Sequence, residues 1–251
     1  MNNTNSKNLA LNGVRLIGSE RLRAVLELIA FLAIALISKR LLDPLFWRYS
    51  GPVSLVGTLF ILALYMHWRG RSWSDIGLPA IPGSKRSLMT KRGLIARIAV
   101  CLVGFSMGVG SLLVSAELFD IEFLQSVPSG VDDRWGSIEG NLSQYLLWLG
   151  IVWTAAAFGE EIFFRGFLIT QLQRILGSKW WGTILAVVLA AVIFGYGHYY
   201  YQGLRGFVFT GTIGLVFGTL FILFKRNLWP IIIFHGCVDT LTFTAIYLGV
   251  E

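Results

Sequence analysis

Charge is scarce in this 251-residue chain: Asp, Glu, Lys and Arg together make up 14% of it, against 55% hydrophobic residues. That balance excludes a disordered polymer and a water-solvated globule alike, and leaves a protein solvated by lipid. Cysteine is scarce too. Cys101 and Cys237 both lie inside apolar runs, so neither a disulfide framework nor a CxxC site is available, and both read as packing residues. No HExxH pair occurs, and no internal repeat of the kind secondary transporters carry is found. A net charge of +7 would suggest nucleic acid in a soluble domain. Here the bases gather in loops between apolar runs, where they set orientation instead, and no nucleic-acid partner is implied.

What the chain has is long hydrophobic runs, at 24–42, 52–68, 94–115, 145–176, 180–199, 206–224 and 229–248. Each meets the ~17–25 residues of a helical span. The first is too long, and too poorly terminated by small residues, for a cleaved signal peptide. The expected fold is an all-α polytopic transmembrane bundle of seven spans, or eight if a half-span is hidden. Three parts follow: a cytoplasmic segment 1–23, N-terminal spans over 24–142, and a core over 143–251. The loop 69–93 carries Arg69, Arg71, Lys85, Arg86, Lys91 and Arg92 against one acid, Asp75. Loop 116–142 is acidic, with Glu117, Asp120, Glu122, Asp132, Asp133 and Glu139. With Lys7, Arg15, Arg21 and Arg23 ahead of the first run, the bases put the N-terminus and loop 69–93 in the cytoplasm and loop 116–142 outside. Glu27, early in the first span, is expected to snorkel or to pair with a base such as Arg23.

Against this apolar background the stretch Phe158-Gly-Glu-Glu-Ile-Phe-Phe-Arg165 stands out. An ionised side chain at mid-bilayer costs at least ~2.5–3.5 kcal/mol, so polar groups there mark function more often than not. Glu161 and Arg165 are four apart and share a helix face, whereas Glu160 is rotated by about 100° and has no partner on its own helix. Two of the three histidines also fall in later spans: His198 closes Phe194-Gly-Tyr-Gly-His198, and His235 stands four residues before Asp239. A hairpin turning at Gly177-Ser178 brings Glu160 and His198 within about 5 Å in height at ~1.5 Å rise per residue. His235 fits less well, offset by roughly 13 Å if the helices stand upright. Tilt or a broken helix must absorb that, and Gly195, Gly197 and Gly236 permit it.

These motifs, Glu160-Glu161-Ile-Phe-Phe-Arg165, Phe194 to His198 and His235 to Asp239, occur in order in successive apolar runs. Together they resemble the CPBP intramembrane proteases, the family of the Ras-converting CAAX endopeptidases and bacteriocin-processing (Abi) proteins. Trp73-Ser-Asp-Ile-Gly77-Leu78 also looks like a segment common before the core in bacterial members. The resemblance implies an α-helical endopeptidase of the bacterial inner (plasma) membrane, acting on a membrane-bound peptide or protein. It further implies that Glu160 and His198 hold and activate the attacking water, that Glu161 and Arg165 support them, and that His235 with Asp239 faces the developing oxyanion.

Physical chemistry makes Glu160 the better candidate base, since Arg165 should hold Glu161 ionised and fix its rotamer. Asp239 is the difficulty, because an ionised carboxylate repels an oxyanion. Either Asp239 carries a proton or it orients His235 from one turn away. Two histidines and carboxylates would also suit zinc, but a glutamate-activated water without cofactor is favoured. The alternative function is non-hydrolytic: a membrane scaffold, immunity factor or transporter that keeps the polar cluster for binding.

Overall fold

A computed structural model describes residues 3–84, 89–128 and 130–250. Lys85 and Arg86 of the basic loop lie outside the described residues, as do the side chains of Lys7, Arg15 and Asp132. The fold is all-α: α1 (Asn3–Trp68), a 3-10 turn (Trp73–Ile76), α2 (Lys91–Leu118), α3 (Glu122–Gln125), α4 (Gly130–Trp135), α5 (Leu142–Ile151), a π-helix (Val152–Leu168), α6 (Ile169–Leu176), α7 (Trp180–Leu223) and α8 (Trp229–Leu248). Among the described residues, four helical stretches are long and apolar enough to cross a membrane: α2, the continuous run Leu142–Leu176, α7 and α8. This is a multi-pass membrane bundle. Its outward faces are apolar, as at Leu102, Val103, Met107 and Val114 on α2, all exposed.

Two of the long helices fold back on themselves. α1 breaks at Phe46, two residues after Pro44, where φ is −158° and ψ 69°. Beyond the break its halves pack side by side, with Ser38 Oγ 2.7 Å from Ser54 Oγ and Tyr65 donating to Glu27 at 2.6 Å. The first two apolar runs thus form one hairpin without a separate loop, and the segment read as a cytoplasmic tail is helical from Asn3. α7 breaks at Gly203, whose φ of 58° favours glycine. Its halves approach closely: a Cβ on Gly195 would lie 2.5 Å from the Phe207 carbonyl oxygen, and one on Gly214 3.1 Å from Ala191 Cα. With lipid outside, such small-residue contacts let van der Waals packing hold the helices together.

At the centre stands the π-helix, whose Ile162, Phe163, Phe167 and Leu168 pack against Leu62, Phe217, Phe221 and Ile231. Glycines set its neighbours. Gly166 lies under the 3-10 turn, where an added Cβ would come 2.6 Å from the Ile76 carbonyl oxygen. The turn is pinned in its own right: Leu228 N–H donates to the Gly77 carbonyl (2.9 Å) and Trp229 Nε1 to that of Pro79 (2.8 Å). Glu27 does not pair with Arg23. It is buried and accepts from Arg71 (2.9 Å), Tyr65 (2.6 Å) and Gln171 (2.6 Å), because the break in α1 returns Tyr65 and the chain just past Trp68 to its side. Arg71 is therefore a structural partner as well as a topology signal. Cys101 is buried, but Cys237 is exposed and is no core packing residue.

Candidate active site

Glu160, Glu161 and Arg165 belong to the π-helix, whose hydrogen bonds close at i→i+5 instead of i→i+4, a winding often found at functional sites. Glu161 is fully buried. Its Oε1 accepts from Arg165 Nη1 at 3.1 Å and from His235 Nδ1 at 2.8 Å. The Arg165 guanidinium lies over the rings of Phe194 (4.3 Å) and Phe217 (5.4 Å), so the charge is held by one carboxylate and two aromatic faces.

His235 bridges two carboxylates. Its Nε2 is 3.4 Å from Asp239 Oδ2, one turn on along α8, while its Nδ1 faces Glu161. A neutral imidazole has one N–H, so both contacts are hydrogen bonds only if a second proton is shared along the Glu161–His235–Asp239 chain. Asp239 stands one turn from His235, a placement that serves either of the two roles considered for it, a protonated acid or a carboxylate that orients the imidazole. Despite the offset expected of upright helices, His235 reaches Glu161 at 2.8 Å. Gly236 lets α8 lie close against the π-helix: a Cβ there would come 2.6 Å from the Trp153 ring.

His198 is fixed differently. Its Nδ1 lies 3.0 Å from the Phe194 carbonyl oxygen, and its ring meets that of Phe194 edge-on at 4.8 Å. A carbonyl only accepts, so Nδ1 carries the proton and Nε2 is left as an acceptor. Phe194 thus serves Arg165 with its ring and His198 with its backbone, a physical reason for aromatic and histidine to stand four apart.

Glu160, His198, His235 and Asp239 all line one cavity of about 350 Å³. Glu161 and Arg165 lie behind its wall. Glu160 makes no hydrogen bond among the described residues, in contrast to Glu161 beside it. Among those residues no group of three His, Cys, Asp or Glu is arranged to hold a metal ion.

Sequence reasoning missed part of this wall. The 116–142 loop, expected as an acidic outer connection, folds as α3 and α4 and sends Arg134 and Trp135 into the cavity beside Tyr200 and Tyr201. Arg134 is 7% exposed. Its signal was a base followed by tryptophan inside an acidic segment, flanked by the apolar Val131 and Ile138.

Residues 142–241 match the family model described as type II CAAX prenyl endopeptidase Rce1-like. The matched segment contains Glu160, Glu161, Arg165, His198, His235 and Asp239. No curated protein and no solved structure matches the chain.

Proposed function

We propose that the chain is an intramembrane endopeptidase, of the CPBP type, that hydrolyses a peptide bond of a membrane-associated substrate. One observation carries the reading: a single cavity receives a carboxylate with no hydrogen bond among the described residues, Glu160, together with an imidazole whose backbone contact leaves Nε2 as an acceptor, His198. A water between two acceptors donates both hydrogens and turns an oxygen lone pair outward. Glu160 takes one proton as that oxygen bonds to the scissile carbonyl carbon. As the tetrahedral intermediate collapses and the C–N bond breaks, Glu160 returns the proton to the leaving amine. His235, protonated on both ring nitrogens so that Nδ1 still donates to Glu161, supports the oxyanion by giving up the longer of its two contacts, that to Asp239 at 3.4 Å, and donating from Nε2. Glu161 and Arg165 keep His235 in place.

The topology proposed with this chemistry has seven spans, with the N-terminus in the cytoplasm of a bacterial plasma membrane. The hairpin breaks at Phe46 and Gly203 support the count, since on this reading α1 and α7 would each cross the bilayer twice. The test of function is a comparison of membrane proteomes from cells carrying the wild type or Glu160→Gln. The reading expects new peptide termini in membrane proteins that depend on Glu160. Identical terminus profiles, with both proteins present at equal levels, would favour the non-hydrolytic class.

A further inference from the structure

Two cations line the cavity, and they differ. Lys39 is 3.0 Å from Asp43, so its charge is compensated. Arg134 has no hydrogen bond or ion pair among the described residues, although it is 7% exposed and its Nη1 is shut off from solvent without an acceptor. Aromatic faces hold it, with the guanidinium carbon 4.7 Å from the Tyr201 ring centre and 5.4 Å from that of Tyr200. Close approaches fix its place: a Cβ on Gly130 would lie 2.4 Å from the Tyr201 carbonyl oxygen, so α4 lies against that backbone, and one on Gly51 would lie 3.2 Å from Arg134 Nη2 itself. A guanidinium has five donors and no acceptor capacity, and a buried one without an anion is strongly disfavoured. The site therefore holds a cation that no carboxylate among the described residues meets at ion-pair distance, Glu160 and Asp239 lining the same cavity without pairing to it.

We infer that Arg134 anchors a carboxylate of the substrate peptide, fixing how far along the chain the scissile bond meets Glu160 and His198. This rests on the endopeptidase reading above. The planar fork of arginine matches a carboxylate with two parallel N–H···O bonds, which a lysine would not reproduce. Tyr200 and Tyr201 hold the guanidinium plane before substrate arrives, so little side-chain entropy is lost on binding. The carboxylate has two sources, the free C-terminus of the peptide or an Asp or Glu side chain, and both present the same group.

The experiment measures binding, without turnover, on the full-length protein in detergent carrying Glu160→Gln. Three dansylated apolar hexapeptides serve as probes: one with a free C-terminal carboxylate, its C-terminal amide, and the amide with one internal Asp. The free acid is expected to bind about tenfold or more tightly than the amide. Adding Arg134→Gln should abolish that ratio while leaving affinity for the amide unchanged, and Arg134→Lys should restore it in part. Recovery of tight binding by the Asp-bearing amide assigns the anchor to a side-chain carboxylate; tight binding of the free acid alone assigns it to the C-terminus. Equal affinity for free acid and amide, a ratio that survives Arg134→Gln, or no binding of any probe up to millimolar concentration overturns the inference. If Arg134→Gln does not fold, the ratio before that substitution and with Arg134→Lys still decides. Cleavage by the protein with Glu160 intact is scored separately, so hydrolysis without the anchor, and the anchor without hydrolysis, are told apart.

Discussion

His235 Nδ1 lies 2.8 Å from Glu161 Oε1, a contact that joins α8 to the π-helix across 74 positions of sequence. It makes Glu161 the hub of the site: one carboxylate oxygen receives both Arg165 and His235, and the side chain has no exposed surface.

Replacing Glu161 should therefore damage the fold as well as activity. Glu161→Gln leaves the Arg165 charge buried without a counter-ion, and breaking such a pair costs about 3–5 kcal/mol. Glu161→Gln combined with Arg165→Met removes the stranded charge and should recover part of the loss. Thermal unfolding in detergent reads this directly. Equal melting temperatures for wild type and Glu161→Gln would remove Glu161 from the structural role.

Gly236 gives a prediction of opposite sign to helix propensity. Gly→Ala in an ordinary helix interior gains about 1 kcal/mol, but here the added methyl would meet the Trp153 ring at 2.6 Å. Gly236→Ala should destabilise by about 1–3 kcal/mol through overpacking. It should also lower turnover, because α8 must move away and carry His235 with it. An unchanged or higher melting temperature would mean that α8 does not pack as closely as described.

At the other end of the bundle, Glu27→Gln should cost about 1–3 kcal/mol, since Arg71 loses its counter-ion and Tyr65 and Gln171 lose a charged acceptor. Arg23→Gln should be neutral in the same unfolding assay, because Glu27 is served by Arg71. A larger loss from Arg23→Gln than from Arg71→Gln would contradict that pairing.

The helical fold and much of the site could be read from residue types and spacing, because intramembrane charge is costly and therefore conspicuous. Glu161 with Arg165, and His235 with Asp239, are four-residue pairs, and local spacing alone puts each on one face. Contacts between helices were less legible. The approach of His235 to Glu161 depends on Gly236 lying against Trp153 and on the π winding of 152–168, and no single residue announces either. Arg134 is hidden for a related reason: it is one base in an acidic segment, and only the fold of α4 turns it onto Tyr200 and Tyr201. Glu27, expected to snorkel or to pair with a base such as Arg23, instead meets Arg71, 44 residues away, a partner that helix spacing does not announce.

His198 offers a test of the water-holding pair independent of Glu160. With Nδ1 donating to the Phe194 carbonyl, Nε2 is the atom left for water. His198→Ala should lower the chemical step by about 10²-fold or more without the loss of stability expected of Glu161→Gln. Turnover close to wild type would mean that water is held elsewhere.

The central claim is that Glu160 is the base. Its most direct measurement is the single-turnover cleavage rate of Glu160→Gln, set beside the melting temperature of the same preparation, on a substrate identified by the terminus comparison. Glutamine keeps the shape of the side chain and removes the proton acceptor, so the rate should fall by about 10²–10⁴-fold. Because Glu160 makes no hydrogen bond among the described residues, the melting temperature should stay near that of the wild type. A rate within a few-fold of wild type, in a protein that melts normally, would contradict the account.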